Sequence, residues 1–300
     1  MQKKTTINGK TRDVTQLFLA LLAYSVLFTG LLYVVLPKLA ISGGIHTVIA
    51  AILAFLPIVL YLVKTGQTGR LMEKKVSMGI GSFFYLLSLY IAINLLVSLS
   101  VPLMENVFQT VGLSARSTDS AESTFSIASL VYTCLLGPVM EEVIYRGAVL
   151  NVLKKRGTKS AILLSALLFG VMHHDFYQGL SAFGGGVILG YAASRYSLGA
   201  AILLHIANNS FAEALPYLKE AGSMGAAAIF LLIVGAFLIA VIGSIGKTVR
   251  VARSRGKMAA HREGEDGGQE TVSPIWGNPV FWIALLFDSV CLIAFSFHSV

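Results

Sequence analysis

The chain has 300 residues, of which 55% are hydrophobic and only 13% are charged, and its net charge is +8. A soluble domain needs more polar surface than this to cover its core, so the composition excludes an ordinary soluble protein. The positive charge alone would suit a nucleic-acid partner. In a membrane protein it more often belongs to cytoplasmic loops, and we expect no nucleic acid. No separate signal peptide is expected, because the first apolar run is too long for one and no small-residue cleavage site follows it.

Apolar residues cluster in runs along the chain, and a helix of roughly 20 residues crosses a bilayer. The nine runs lie at 15–39, 46–63, 76–99, 125–145, 160–174, 180–194, 198–211, 224–245 and 276–297. Helices are expected because backbone polar groups in lipid must be satisfied within the segment, and no alternation typical of barrel strands is present. The three runs from 160 to 211 are short, which suits tilted, buried or partly spanning helices. The sequence therefore predicts an all-α integral membrane protein, a polytopic bundle of about eight or nine transmembrane helices.

The Lys and Arg residues are divided unevenly between the connections. If the N-terminus is cytoplasmic and every run crosses, all of the 23 Lys and Arg residues except Lys38, Arg116 and Lys219 lie on the cytoplasmic side. The positive-inside rule predicts this asymmetry. We therefore expect a multi-pass protein of the cell membrane with a cytoplasmic N-terminus and an extracytoplasmic C-terminus.

Two polar stretches separate the runs. Residues 101–124 are Ser-rich and are expected to be extracytoplasmic, whereas 246–273 begins basic and becomes acidic and Gly-rich, which is typical of a flexible cytoplasmic linker. The run after the linker is expected to be appended to the main bundle. The sequence thus predicts N-terminal transmembrane helices and an extracytoplasmic loop at 1–124, a motif-bearing core at 125–215, a core-closing transmembrane helix at 216–245, and the linker with its appended C-terminal transmembrane helix at 246–300.

Small residues inside the apolar runs are interpreted as packing residues. Gly186 and Gly190 are four apart, with Gly170 nearby, and this spacing suits close contact between helices. Cys134 and Cys291 lie inside apolar runs and are interpreted as core residues rather than as a disulfide pair or a metal site. No internal repeat that would indicate a transporter is apparent.

Ionisable residues at membrane depth are costly and usually functional, and three of the runs carry them. Glu142 and Arg146 are four residues apart with the acid first, the favourable orientation for an ion pair on one helix face. Glu141 lies about 100° round the helix from Glu142, which leaves it free to act. The alternative is that both glutamates are interfacial and merely end the helix.

A second pair of polar residues shares one face of an apolar helix. His205 and Asn209 are four apart, so both side chains can donate hydrogen bonds to a single oxygen atom. The alternative is structural, because His and Asn often join membrane helices to one another. Asn208 points elsewhere and suits that interhelical role.

The run at 160–174 ends in two adjacent histidines. Phe169 and His173 are four apart, so the phenyl ring can pack over the imidazole and fix it. His174 faces another way and is expected to meet water or Asp175.

One carboxylate, two histidines and an asparagine together suit the hydrolysis of an amide. A buried carboxylate is a usable general base for water, and a histidine partner can share the proton and deliver it to the leaving amine. His and Asn donors can stabilise the tetrahedral oxyanion. Zinc is the competing chemistry, because Glu and His are good ligands, but HExxH is absent and no two histidines share a helix face. A GxSxG nucleophile elbow is absent as well.

Three motifs follow one another on apolar helices between about residues 125 and 215. They are EExxxR at Glu141, Glu142 and Arg146, FxxxH at Phe169 and His173, and HxxxN at His205 and Asn209. Each motif alone is weak, but the three in this order resemble the CPBP family. That family contains the type II CAAX prenyl endopeptidases (the Ras-converting-enzyme group) and bacteriocin-processing or self-immunity proteins.

The resemblance implies an intramembrane, glutamate-dependent endopeptidase on an all-helical fold, with a cavity among the motif helices. Carried over by motif position, the catalytic residues are Glu141 as base, His173 as its partner in activating water, and His205 and Asn209 as the oxyanion hole, with Glu142, Arg146 and Phe169 in support. No cofactor and no metal are expected. The expected partners are a membrane-associated peptide or protein substrate and the lipid bilayer.

Three alternatives stay open beside the endopeptidase. A non-enzymatic membrane scaffold or a bacteriocin self-immunity protein would tolerate the loss of Glu141, a zinc-dependent membrane protease would need metal, and a small-solute transporter would show substrate flux.

The depths of two motif residues conflict. Simple crossings place Glu141 near the cytoplasmic face and His173 toward the other end of a short run, too far apart in depth at roughly 1.5 Å rise per residue. Either the run at 160–174 sits lower or the helix of Glu141 begins further inside.

Overall fold

The computed structural model describes residues 2–39, 43–71, 76–115, 126–154, 157–220 and 275–299, together with single positions between 222 and 245. Most of these residues are helical, which confirms the predicted all-α fold of an integral membrane protein. The helices are α1 (Gln2–Gly30), α2 (Gly43–Lys64), α3 (Thr68–Leu71), α4 (Ile80–Gln109), α5 (Ile127–Val131), α6 (Gly137–Glu142), α7 (Leu150–Leu153), α8 (Thr158–Val171), α9 (Phe176–Arg195), α10 (Leu198–Glu220) and α11 (Pro279–Ser296). Two short strands, β1 (Leu113–Ser114) and β2 (His298–Ser299), pair antiparallel.

Five helical stretches of the described residues are long and apolar enough to cross a membrane. They are Asp13–Lys38, Gly44–Lys64, Ile80–Gln109, Ile127–Leu153 and Pro279–Ser296. Their outward side chains are apolar and uncovered: Ile80, Leu103 and Leu286 are 78%, 69% and 64% exposed. An apolar surface of this extent is unfavourable in water but suits lipid. The chain is therefore a multi-pass membrane protein, and the count of about eight or nine crossings stays a prediction.

The fourth apolar run is longer than its predicted boundaries of 125–145. The helical span extends over Ile127–Leu153 and is called the motif helix below. Arg146 does not end the helix, because its side chain is buried against Glu142 at 2.6 Å instead of reaching water. Glu141 consequently lies near the middle of the span rather than at its cytoplasmic end.

The third apolar run also extends further than predicted. Helix α4 continues through the first part of 101–124, the stretch expected to be a polar connection. Its Glu105 is only 2% exposed. The carboxylate accepts hydrogen bonds from the Ser114 hydroxyl at 2.7 Å and the Ala115 backbone N–H at 3.1 Å, which fixes the chain after α4. Residues 116–125 lie outside the described residues.

Helices α8 and α9 form an antiparallel hairpin with very close backbones. A Cβ atom added at Gly170 would lie 2.9 Å from the carbonyl oxygen of Gly179, and one added at Gly186 would lie 3.0 Å from the Cβ of Ala166. Only glycine allows these approaches without displacing the neighbouring helix. The predicted packing role of Gly170 and Gly186 is confirmed.

The last helix packs into the bundle, in contrast to the expected appendage. Phe281 of α11 is fully buried, and its ring centre lies 5.0 Å from that of Phe18 in α1. Asn278 caps α11 by accepting the backbone N–H of Val280 at 3.0 Å, and its amide donates to the Thr15 hydroxyl at 2.9 Å. Aromatic packing and a side-chain hydrogen bond thus join α11 to α1.

Two predicted features fall outside the described residues. They are the cytoplasmic linker at 246–273 and most of the run at 224–245 that was expected to close the core.

Candidate active site

The two adjacent glutamates lie between two π-helical turns of the motif helix. The turns Tyr132–Leu136 and Val143–Val149 flank α6 on either side. Pro138, in the first turn of α6, has no backbone N–H to donate, and a widened turn directly before it accommodates the missing hydrogen bond. Turns of this kind are frequent at functional sites, because the wider turn changes which side chains share a helix face.

The predicted ion pair between Glu142 and Arg146 is present. Arg146 Nη1 donates to Glu142 Oε1 at 2.6 Å, and both side chains are 0% exposed. Arg146 Nη2 also donates to the carbonyl oxygen of Gly186 in α9 at 3.1 Å. Its guanidinium carbon lies 4.4 Å from the centre of the Phe169 ring in α8, a cation–π contact. One arginine thus joins the motif helix to both helices of the hairpin.

His205 in α10 lies between the two glutamates. Its Nδ1 is 3.0 Å from Glu142 Oε1, and its Nε2 is 3.7 Å from Glu141 Oε2. A carboxylate oxygen accepts hydrogen bonds, so Nδ1 carries the hydrogen in the first contact and Nε2 faces Glu141. The Glu141 side chain is 15% exposed, whereas that of Glu142 is fully buried. The two carboxylates therefore differ as the helical spacing predicted, because Glu142 binds Arg146 and Glu141 is accessible.

His173 is held by its own helix. Its Nδ1 lies 2.8 Å from the carbonyl oxygen of Phe169, which can only accept, so Nδ1 carries a hydrogen and Nε2 is directed away from this contact. The Phe169 ring meets the imidazole edge-on, with centres 4.8 Å apart. The same phenyl ring meets the His205 imidazole edge-on, with centres 5.7 Å apart, so both histidines border Phe169. Glu141 is central in its span, so the assumption that placed it near the cytoplasmic end is wrong.

Asn209 and Asn208 both engage backbone or side-chain partners on other helices. The Asn209 amide donates to the carbonyl oxygen of Thr133, in the first π-helical turn, at 3.0 Å. Asn208 accepts from the Asn94 amide of α4 at 2.9 Å. Asn208 is thus the interhelical residue that the sequence predicted. Since an amide nitrogen has two hydrogens, Asn209 retains a second donor.

The zinc alternative requires Glu141, His173 and His205 to converge on one ion. Within the part of the chain that the structure describes, no group of three or more His, Cys, Asp or Glu side chains is arranged to hold a metal ion. These three side chains, as they lie, do not form a ligand set.

A second buried polar cluster lies directly beside His173. His174 was expected to meet water or Asp175, and this expectation is wrong, because its Nε2 lies 3.1 Å from Oδ1 of Asp288 in α11. The two side chains are only 5% and 8% exposed. Asp288 is the only acidic or basic residue of the run 276–297. A lone carboxylate at membrane depth predicts a partner, so the signal was present in the sequence and was missed.

The motif helix, the end of α8 and α10 thus carry a carboxylate, two histidines and an asparagine, which are side chains that hydrolases use. The family described as Type II CAAX prenyl endopeptidase Rce1-like matches residues 123–211, a range that includes every motif residue from Glu141 to Asn209. Residues 123–211 are thus similar to this family, and the similarity suggests a CAAX-type intramembrane protease. No curated protein and no solved structure matches the chain.

Proposed function

We propose that the protein is an intramembrane endopeptidase that hydrolyses a peptide bond of a membrane-associated peptide or protein with a water molecule activated by Glu141 and His173. The observation that carries the proposal is the contrast between the two glutamates. Glu142 is fully buried in its ion pair with Arg146, while Glu141 is accessible and lies 3.7 Å from His205, which borders the same Phe169 ring as His173. An accessible carboxylate beside imidazoles is the arrangement that a general base for water requires.

In the proposed reaction, Glu141 accepts a proton from water as the water oxygen attacks the carbonyl carbon of the scissile bond. His173 holds the same water through Nε2, because its Nδ1 hydrogen is already donated to the Phe169 carbonyl. Collapse of the tetrahedral intermediate breaks the carbon–nitrogen bond. The leaving amine then takes the proton from Glu141 or His173.

His205 and Asn209 are proposed to stabilise the oxyanion of the tetrahedral intermediate. His205 would donate through Nε2 and Asn209 through its second amide hydrogen. Because Nδ1 of His205 already donates to Glu142, donation from Nε2 makes the ring a cation. That cation lies between Glu141 and Glu142, which balances its charge.

Glu142, Arg146 and Phe169 are proposed as supporting residues. Arg146 contacts Glu142, the Phe169 ring of α8 and the carbonyl of Gly186 in α9, so it joins the motif helix to both helices of the hairpin. Preorganised groups stabilise a transition state only if their supports hold them in place.

The function is tested by comparing the peptide ends of the membrane proteome in cells that express the wild-type protein with those in cells that express Glu141→Ala. An endopeptidase is expected to create new peptide ends that are absent with the variant. Identical sets of ends would favour the non-enzymatic scaffold or self-immunity protein. The cleaved sequences would also identify the substrate and show whether it is prenylated.

We further propose that the protein resides in the cell membrane with a cytoplasmic N-terminus. The distribution of Lys and Arg supports this orientation. Reporter proteins fused after Thr124 and after Gly268 are expected to lie on opposite sides of the membrane, with Gly268 cytoplasmic. Reporters on the same side would show that at least one of the assumed crossings is wrong.

The activity is proposed to be independent of metal. Asn209 beside His205 is a good oxyanion donor but a poor zinc ligand, and Nε2 of His205 serves either a metal or the substrate. Purified active protein is expected to carry no stoichiometric metal and to keep its activity after a tight chelator and buffer exchange. Loss of activity to the chelator with recovery on adding zinc would make the histidines ligands instead.

A further inference from the structure

Helix α11 brings the carboxylate of Asp288 to the turn that carries His173 and His174. Asp288 Oδ1 lies 3.1 Å from His174 Nε2, and Oδ2 accepts the Ser25 hydroxyl of α1 at 3.3 Å. Asp288 is 6% exposed. A carboxylate at this depth is costly unless it is paired, so the two contacts hold it at the junction of α1, α11 and the turn after α8.

His174 has an unusual backbone conformation. Its φ is 53°, and it is the only non-glycine residue with a positive φ among the described residues. This left-handed region crowds a Cβ atom, so residues other than glycine adopt it rarely, although His does so more often than most. Here residues of α11 contact both the side chain and the backbone carbonyl of His174. Asp288 binds the imidazole, and the Ser296 hydroxyl donates to the His174 carbonyl at 3.5 Å.

His173 precedes His174 in the same tight connection between α8 and α9. The backbone N–H groups of His173 and His174 donate to the carbonyls of Gly170 and Val171 at 3.2 and 3.4 Å. In so short a turn, a change of φ at His174 rotates the peptide groups on either side of it. His173 and His174 are thus consecutive residues of one hydrogen-bonded turn, and Asp288 binds the second of them.

We propose that Asp288 is a positioning residue that sets the orientation of His173 toward Glu141 by holding His174 in its left-handed conformation. The effect on catalysis rests on the proposed function, while the effect on the geometry of His173 does not. Asp288 lies outside the range 123–211 that matches the family, so the C-terminal helix contributes to the site from beyond the shared region.

The test compares Asp288→Ala and Asp288→Asn with Phe281→Ala, a buried residue of the same helix that packs on Phe18. Cleavage of an internally quenched peptide ending in a prenylated CaaX sequence gives kcat and KM. Nitrogen NMR of histidine-labelled protein reports which ring nitrogen of His173 carries the hydrogen. Assignment is tractable because the chain has only 6 histidines.

Asp288→Ala is expected to lower kcat about tenfold at nearly unchanged KM. It is also expected to broaden or split the Nδ1–H resonance of His173. Asp288→Asn, which keeps an acceptor oxygen, is expected to retain more of both. Phe281→Ala should lower the melting temperature at least as much while leaving kcat and the His173 signal unchanged. A wild-type kcat and an unchanged His173 signal in Asp288→Ala would overturn the proposal. If the wild-type protein does not cleave the probe, the His173 resonance alone tests the proposal. A broadened or split resonance in Asp288→Ala supports a positioning role, and an unchanged resonance rejects it.

Discussion

Replacing Glu141 with Gln is expected to lower kcat for the quenched prenylated CaaX peptide by roughly 10³-fold, within the usual range for a lost general base. The amide keeps the size of the side chain but cannot accept a proton from water. Folding should be little changed, since the Glu141 carboxylate lies 3.7 Å from His205 and is partly exposed. The measurements are steady-state kinetics in detergent or vesicles and thermal unfolding of the same preparation.

The adjacent residue offers a matched control for this substitution. Glu142→Gln removes the neighbouring carboxylate, which is fully buried and binds Arg146 and His205. It is expected to lower the melting temperature clearly, whereas Glu141→Gln should not. Full activity of Glu141→Gln would refute the glutamate mechanism, and equal melting losses in both variants would show that the two carboxylates are not distinct.

The sequence predicted those parts of the site that depend on helical geometry alone. The pairing of Glu142 with Arg146 and the packing of Phe169 on His173 both follow from a spacing of four residues, which places side chains on one face of any helix. The assignment of Asn208 to an interhelical contact also followed from the direction of its side chain. Local periodicity is fixed by the chain, so these relations were available before any tertiary structure.

Contacts between helices were not predictable in this way. Nothing in the spacing of His205 indicates that its Nδ1 meets Glu142, because that contact depends on how α10 is placed against the motif helix. The π-helical turns Tyr132–Leu136 and Val143–Val149 were not predictable from the spacing of apolar residues either, since each is a local departure from the regular α-helix. Both features determine where the carboxylates point.

The depth of Glu141 was left open by the sequence for a related reason, because simple crossings ended its apolar run at residue 145. The charged residue Arg146 was read as a sign that the helix reaches the membrane surface. Its charge is instead neutralised inside the bundle by Glu142, so the span continues to Leu153. Hydropathy counts a buried ion pair as two polar residues and does not recognise that they satisfy each other.

Glu142→Ala is expected to lower the free energy of unfolding by about 3–5 kcal/mol, because it leaves the Arg146 guanidinium buried without its counter-charge. Arg146 is 1% exposed and would keep only the Gly186 carbonyl and the Phe169 ring among its described contacts. Neither contact carries a negative charge. The measurement is denaturant unfolding of the purified protein in detergent, with Glu141→Ala as the neighbour whose loss should cost much less.

The double variant Glu142→Ala with Arg146→Met separates charge imbalance from lost packing. Breaking a buried ion pair on one side leaves an unpaired charge, whereas removing both partners does not, and the loss of volume at position 142 is common to the single and the double variant. The double variant should therefore be more stable than Glu142→Ala alone, although the bond to Gly186 and the contact with Phe169 are lost. It should nevertheless lack activity, because the contacts of Arg146 with Gly186 and Phe169 fix α8 and α9 relative to the motif helix. A double variant less stable than Glu142→Ala would mean that Arg146 stabilises the bundle through Gly186 and Phe169 rather than through its pair with Glu142.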